Sequence, residues 1–300
     1  MDTKVEKISS NIKKTKVLRN IITDSRLSFL MEAHDGISAK IVEETGFSGI
    51  WASGLGISAA LGVRDNNELS WTQVCEMCEY MTNVTNIPIL LDGDTGYGNF
   101  NNFRILIRKL EQIGVAGVCI EDKIFPKKNS FIKGEKQNLT SIEEFCGKIR
   151  AGKDVIQDKD FVIVARTEAF IVGLGVSEAI KRAKKYVEAG ADAILVHSKR
   201  EDSKDIDAFM KEWGDAAPII IVPTMYYQVP TSHFTDIGIS TVIWANQNIR
   251  AATSAMEKIS KTIYESYSIS EAENEIVPVK EIFRLQDIEK YEVLEQRFSR

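Results

Sequence analysis

Two aspartates, Asp92 and Asp94, stand one residue apart where an apolar run from Ile87 to Leu91 stops in Asp-Gly-Asp-Thr-Gly-Tyr-Gly-Asn. A buried strand that ends in carboxylates can offer hard oxygen ligands to one divalent cation, provided the chain stays extended through Gly93 so that both side chains leave the same face. The same composition also makes an ordinary turn, so the spacing alone leaves both readings open. Gly93, Gly96 and Gly98 are expected to let backbone approach a ligand closely. Other apolar runs close in the same way. Glu121-Asp122 ends one, Arg166 and Glu168 end another, and His197 ends a third. A guanidinium is a rigid bidentate donor for anionic oxygens, and a strand-end histidine can add a second donor, although it can equally be satisfied within the protein. For Glu121-Asp122 the plain alternative is a solvated loop start, and Glu168 is expected to orient Arg166, with Asp35 holding neighbours in place.

The elements that must position these groups follow from hydrophobic patterning. Short apolar runs alternate with helical patterns over nearly the whole chain, which means parallel β/α units. The runs are Phe29–Ala33, Gly49–Ala52, Ile87–Leu91, Gly117–Ile120, Phe161–Ala165, Ala193–Val196, Ile219–Val222 and Thr241–Trp244. Eight strands fit one α/β barrel of the TIM type, which builds its site from the loops after the strands. Between them, Phe103, Leu106, Ile107, Leu110 and Ile113 recur at helical spacing, leaving Arg104, Arg108 and Lys109 to water. Ser70 with Gln73 and Ser141 with Glu144 have the form of capping boxes, and Gly46, Gly114 and Gly190 are placed to end helices.

Two parts exceed eight plain units. The stretch from Asp122 to Thr140, with Pro126, Gly134 and lysines at 123, 127, 128, 133 and 136, is long, polar and aperiodic, as a lid would be. After Gln247 the chain continues as a helix, passes an acidic segment and ends in an apolar helical pattern (Ile282, Phe283, Ile288, Tyr291, Leu294, Phe298), expected to pack on something such as a partner subunit. The expectation is one domain over residues 1–300, with a barrel core at about 27–250 and a helical extension at about 251–300.

Composition narrows the function classes. A 300-residue chain that is 44% hydrophobic can bury a sizeable core, and a net charge of -5 with scattered basic residues favours neither nucleic acid nor an anionic membrane. A small-molecule partner is the default. Met1 to Lys16 is charged and helix-compatible, without an apolar block, and no aliphatic run is long enough to span a bilayer, so a cytoplasmic protein is expected. Cys75 and Cys78 share one face of an expected helix and, with Cys119 and Cys146, read as small core thiols in preference to a zinc or redox pair; no disulfide is expected. His34 and His233 receive no role.

In order and spacing, several segments resemble the isocitrate lyase and phosphoenolpyruvate mutase superfamily from about Leu30 to Asn246. These are Trp51-Ala-Ser-Gly54, Arg64-Asp-Asn-Asn-Glu68, Asp92 to Asn99, Glu121-Asp-Lys-Ile-Phe-Pro-Lys-Lys-Asn-Ser130, Ala165-Arg-Thr-Glu168 and Val196-His-Ser198. The resemblance implies Mg²⁺ held mainly by Asp92, with Asp94 and Glu121 acting largely through waters, an arrangement that suits an ion reluctant to lose its hydration. It implies a phosphoryl shift from the enol oxygen of phosphoenolpyruvate to C3, giving phosphonopyruvate on the uphill side, by way of an enolate and a metaphosphate-like group from which water must be excluded. Arg166 and His197 would hold phosphoryl oxygens. Backbone amides near Ser53 and Gly54 would hold the carboxylate, Trp51 would wall that pocket, and Asp65 would orient substrate and metal waters. Lys127, Asn129 and Ser130 would close over the phosphoryl group. A homotetramer of paired dimers exchanging a carboxyl-terminal helix is also implied.

Relatives that cleave C–C bonds carry Lys-x-Cys-Gly-His on the lid, where the thiol exchanges a proton with the product carbanion. Here the lid reads Lys127-Lys-Asn-Ser130, which argues against that chemistry. The nearest alternative is hydrolysis of phosphonopyruvate, in which Asn129 resembles the mutating branch and departs from the hydrolysing one. A non-catalytic metabolite-binding scaffold is the reading from a different class, opposed by the complete set Asp65, Asp92, Asp94, Glu121, Arg166 and His197.

Overall fold

The computed structural model describes residues 12–130 and 138–299. Residues 1–11 of the charged amino-terminal stretch and Lys133, Gly134 and Lys136 of the expected lid lie outside the described residues. Eight parallel strands close a barrel in chain order: β1 (Ser28–Ala33), β2 (Gly49–Ala52), β3 (Ile89–Asp92), β4 (Gly117–Glu121), β5 (Val162–Thr167), β6 (Ala193–Val196), β7 (Ile219–Ile221) and β8 (Thr241–Trp244). Closure comes from β8 returning to β1, with Ser28 opposite Thr241 and Met31 opposite Trp244. Helix α1 (Lys14–Thr23) precedes β1 and α2 (Gly36–Thr45) follows it. Both α3 (Gly54–Ala60) and α4 (Trp71–Val84) follow β2. The next five, α5 (Phe100–Gln112), α6 (Ile142–Val155), α7 (Gly175–Glu188), α8 (Lys204–Trp213) and α9 (Thr231–Asp236), follow β3 to β7 in turn. The chain ends in α10 (Gln247–Ser266), α11 (Val279–Leu285) and α12 (Ile288–Phe298).

The strands are apolar on both faces, as a doubly covered parallel sheet requires, yet the two faces do different work. Ile50, Ala52, Ile89, Leu91, Ile163 and Ala165 pack outward with the helices. Leu30, Trp51, Leu90, Cys119, Val164 and Leu195 alternate with them and fill the barrel interior. Because side chains alternate with period two, Glu32, Asp92, Glu121, Arg166 and His197 share the inward parity of that second set. Four of the five, Asp92, Glu121, Arg166 and His197, line the carboxyl-terminal mouth, while buried Glu32 is taken up by His34 and the Ile249 amide.

At the other end, Leu18 and Ile22 of α1 join the interior cluster and stopper the barrel. Gly117 makes room for this, since a β-carbon there would lie 2.9 Å from Leu18 Cδ2. Strand ends extend slightly past the sequence reading, so Asp92 and Arg166 are strand residues, opposite Cys119 and Glu121 respectively.

Ser70 and Gln73 form the full capping box expected at the start of α4. Ser141 makes only half of one: it accepts the Glu144 amide, but the Glu144 carboxylate takes the Thr140 hydroxyl at 2.7 Å instead of the Ser141 amide. Gly46, Gly114 and Gly190 have φ of +100°, +78° and +108°, the left-handed conformation that stops a helix. All four cysteines are buried free thiols, and burial pushes Cys75 up to about 11.

The expected boundary near residue 250 falls inside α10, which is continuous from Gln247. Beyond it the chain folds back on α2, where Arg284 forks onto Glu44 at 3.0 and 2.7 Å and Lys40 meets Asp287 at 2.7 Å. Among the described residues no helix is long and apolar enough to cross a membrane.

Candidate active site

The carboxyl-terminal mouth of the barrel is a cleft of about 510 Å³, counting its open entrance. Its walls include Trp51 of β2, Ser53 just after it, Asp65, Asp92, Glu121, Arg166 and His197, and the loop residues Lys127, Asn129 and Ser130. Of the site residues expected from sequence, Gly54 and Asp94 do not line the cleft but touch residues that do. The Gly54 amide faces Asp92 Oδ2 at 3.4 Å, and Asp94 forms an ion pair with Lys127.

One side of the cleft is rich in carboxylates. The strand does not stay extended through Gly93, as the sequence reading required. β3 ends at Asp92, and Asp94 takes a left-handed φ of +50°. The two carboxylates converge all the same, because a β-carbon on Gly54 would stand 3.2 Å from both Asp92 Oδ2 and Asp94 Oδ1. Gly54 is thus the glycine that opens space beside them. Gly93 serves packing against β4, where a β-carbon would come within 2.5 Å of Val118 Cγ2, and Gly96 and Gly98 crowd Phe103 and Asn102. These three do not make room for a ligand.

Asn67, with φ of +58°, carried no role in the sequence reading yet clamps this side together. Its Nδ2 donates to Asp94 Oδ2 at 2.7 Å, and its Oδ1 accepts the Lys127 amide at 2.7 Å. Lys127 Nζ reaches Asp65 at 2.8 Å, and Asn129 Nδ2 donates to the other Asp65 oxygen at 2.8 Å. Burial opposes ionisation of Asp65, but the Lys127 ammonium and the Asn129 amide outweigh it and hold the carboxyl below its usual range. Asp92 is pushed upward by burial against the pull of Lys127 and Arg166, and burial raises Asp94 to about 7.

The opposite side is organised by Glu168, which is fully buried. It accepts Arg166 Nε at 2.5 Å and Ser130 Oγ at 2.7 Å, and it faces Lys123 Nζ at 3.1 Å and His197 Nδ1 at 2.8 Å. Burial works against its charge, yet the Arg166 guanidinium and the Lys123 ammonium hold it well below the usual carboxylate range. Burial and the adjacent guanidinium lower His197, which is therefore neutral near pH 7. Its Nδ1 also lies 2.7 Å from an Arg166 terminal nitrogen, and it cannot accept there while donating to Glu168. The ring that accepts from Arg166 carries its proton on Nε2, leaving that nitrogen as the donor.

The lysines of the loop divide. Lys128 is exposed, whereas Lys123 and Lys127 are buried, so these two are not a solvated face. Asp35 is the amino-terminal cap of α2, accepting the Ser38 amide, and the Ser53 hydroxyl caps α3 through the Gly56 amide. His34 is tied to buried Glu32 at 2.6 Å, and His233 to Asp207 at 2.7 Å, both away from the cleft walls. Asp122 fixes the Glu168 amide at 2.9 Å while accepting Tyr186 and Arg182. Sequence gave Asn67, Lys123 and Asp122 no role because each acts on a residue brought near only by folding.

Whether the site suits a divalent cation can be judged from its unmet oxygens. Glu121 Oε1 is buried without a hydrogen-bond donor, and Asp94 Oδ1 is met by the Lys127 ammonium alone. Among the described residues no three His, Cys, Asp or Glu side chains form a ready-made metal cage. Buried carboxylates with spare acceptor capacity but no closed cage fit an ion that keeps several of its waters, as Mg²⁺ does.

A family model described as phosphoenolpyruvate phosphomutase matches residues 18–264. The phosphoenolpyruvate phosphomutase of Tetrahymena pyriformis is 56% identical over 289 residues, covering 96% of each chain. The crystal structure of phosphoenolpyruvate phosphomutase from Streptomyces platensis subsp. rosaceus superposes with a TM-score of 0.93 at 37% identity, covering 95% of this chain and 99% of that one. A phosphonopyruvate hydrolase solved with oxalate and Mg²⁺ gives a TM-score of 0.91 at 38% identity, covering 96% and 100%.

Proposed function

This chain belongs to the phosphoenolpyruvate phosphomutase family, and we propose that it moves the phosphoryl group of phosphoenolpyruvate from the enol oxygen to C3 in the cleft described above. It is an isomerase, an intramolecular phosphotransferase, acting on a small molecule. The observation that carries the reading is a single cleft in which the Arg166 guanidinium stands 3.2 Å from Glu121, with Asp92 on the same rim and Asn129, no thiol, on the loop.

Asp92 would hold Mg²⁺ directly and Asp94 and Glu121 through waters; when bound, the ion supplies a Lewis-acid charge to the carboxylate and enolate oxygens of the substrate. The protein's own groups do the remainder. Arg166, kept charged and oriented by Glu168, presents its terminal nitrogens to the phosphoryl oxygens, and His197 Nε2 adds a neutral donor. Backbone amides near Ser53 and Gly54, at the start of α3, would receive the substrate carboxylate, the Gly54 amide exchanging its long 3.4 Å contact with Asp92 for it, and Trp51 forms a dry wall beside it. Lys127 and Asn129, both held by Asp65, lie over the transferring group and exclude water.

Phosphorus NMR of the protein incubated with phosphonopyruvate and Mg²⁺ tests this directly. Phosphoenolpyruvate is the expected product. Inorganic phosphate with pyruvate would make the chain a hydrolase, and no change would leave a binding scaffold. In the same assay Asn129→Ala is expected either to raise the share of hydrolysis several-fold or to abolish both products, because Asp65 loses one of its two holds on the loop. An unaltered mutase rate would remove Asn129 from the mechanism.

The assembly we propose is a homotetramer of dimers joined by the carboxyl-terminal helices. Supporting it, Tyr267, Val293 and Phe298 are 89%, 66% and 71% exposed, more apolar surface than an end segment would leave in water. Light scattering should give a tetramer for the full chain and a smaller species when residues beyond Ser270 are removed; equal masses would exclude that role for the helices.

A further inference from the structure

We propose that Lys123 is a positioning residue that seals the cleft on the Arg166 side and thereby sets how much of the phosphoryl group reaches C3 instead of water. This rests on the reading of the function given above. Lys123 is the second residue after β4, and its side chain is 3% exposed. An ammonium has three donors and no acceptor. Here Nζ lies 2.9 Å from the Lys128 carbonyl, 2.5 Å from Ser130 Oγ and 3.1 Å from Glu168 Oε2, so each donor has a partner.

Those partners belong to two different parts of the fold. Lys128 and Ser130 are in the loop over the cleft, while Glu168 directly follows the strand that carries Arg166. The loop is thus held at two separate places. Lys127 and Asn129 tie it to Asp65, and Lys123 with Ser130 ties it to Glu168. The backbone of Lys123 also bridges to Leu139, so the residue gathers the outgoing and returning arms of the loop.

A second observation concerns water. An outer cavity of about 720 Å³, open to solvent, is lined by Asn99, Phe125, Thr140 and Lys148 among others. Among the described residues, Lys123 is the one that lines both this cavity and the cleft. Its side chain stands between this outer cavity and the side of the cleft where Arg166 would hold the phosphoryl group.

The chemistry makes the partition measurable. When the C–P bond of phosphonopyruvate breaks, the electron pair stays with the pyruvate enolate. If the enolate oxygen then bonds to phosphorus, phosphoenolpyruvate results. If a water oxygen bonds to phosphorus, inorganic phosphate forms, and one water proton ends on C3 to give pyruvate.

The test is the ratio of pyruvate plus phosphate to phosphoenolpyruvate, measured by phosphorus and proton NMR for the full-length wild type, Lys123→Met and Lys123→Gln. The expected result is a rise of at least about tenfold in that ratio for Lys123→Met and a smaller rise for Lys123→Gln, which keeps an amide donor. Lys123→Arg, keeping the charge, should return the ratio toward wild type. A variant that is merely less stable loses both products in proportion, so an unchanged ratio overturns the proposal, as does equal behaviour of the methionine and arginine variants. If Lys123→Met does not fold, the glutamine variant decides by the same ratio. The wild-type arm separates the two levels of inference. Wild type making no phosphoenolpyruvate would defeat the reading of the function, whereas an active wild type with unmoved variants would defeat the role of Lys123 alone.

Discussion

Asp92→Ala is expected to lower turnover by about a thousandfold, about 4 kcal/mol of transition-state stabilisation, while the melting temperature holds or rises. The asymmetry follows from where Asp92 sits. It is the last residue of β3, aimed into the cleft, and its hydrogen bond from the Gly54 amide is a long 3.4 Å. Burial raises its pKa against the pull of Lys127 and Arg166, so the folded protein holds this charge at a cost. Removing it would delete the proposed metal ligand and relieve that cost, leaving the interior set of Leu90 and Cys119 in place. Two measurements check this together: activity over a Mg²⁺ series, and Mn²⁺ binding followed by electron paramagnetic resonance. Turnover that recovers in excess Mg²⁺, or tight Mn²⁺ binding by the variant, would sink the assignment of Asp92 as the direct ligand.

Glu168→Gln should do the opposite to stability. The carboxylate is wholly buried and is shared by Arg166, Ser130 and Lys123. An amide cannot balance the two cations, and breaking a buried ion pair from one side costs about 3–5 kcal/mol. Activity should fall as well, on the order of a hundredfold, because Arg166 loses the group that fixes its plane. The pH dependence has a definite sign. The folded pKa of Glu168 is depressed, so its contribution is fully present above the unfolded value of about 4.3 and is lost as pH falls toward the folded value. Urea midpoints of wild type and variant should therefore differ most at neutral pH and converge in acid below about pH 4. Equal midpoints at pH 7 would show that Glu168 is not the organising charge of this wall.

Much of the barrel was legible because its causes are local. Strands β2, β6 and β8 have the bounds read from their apolar runs, and Ser70 with Gln73 starts its helix as the spacing requires. Two local readings failed for tertiary reasons. Ser141 lost its reciprocal partner to the hydroxyl of Thr140, a residue outside the helix pattern. Gly93, Gly96 and Gly98 read in sequence as room for a ligand, yet their neighbours are Val118, Phe103 and Asn102, which no linear pattern places there.

The sequence by itself determined the strand order, the inward parity that aims Asp92, Glu121, Arg166 and His197 at one mouth, and the residue types that match the family. Period-two alternation and chain order suffice for that. Only the tertiary structure decided which charges balance which: that Lys127 answers Asp65 and Asp94, that Glu168 gathers Arg166, Lys123 and Ser130, and that Asn67 clamps the loop to Asp94. Electrostatic partners are chosen by distance and burial after the barrel closes. Residues 60 apart in the chain, such as Asn67 and Lys127, become neighbours for reasons that spacing along the chain does not contain.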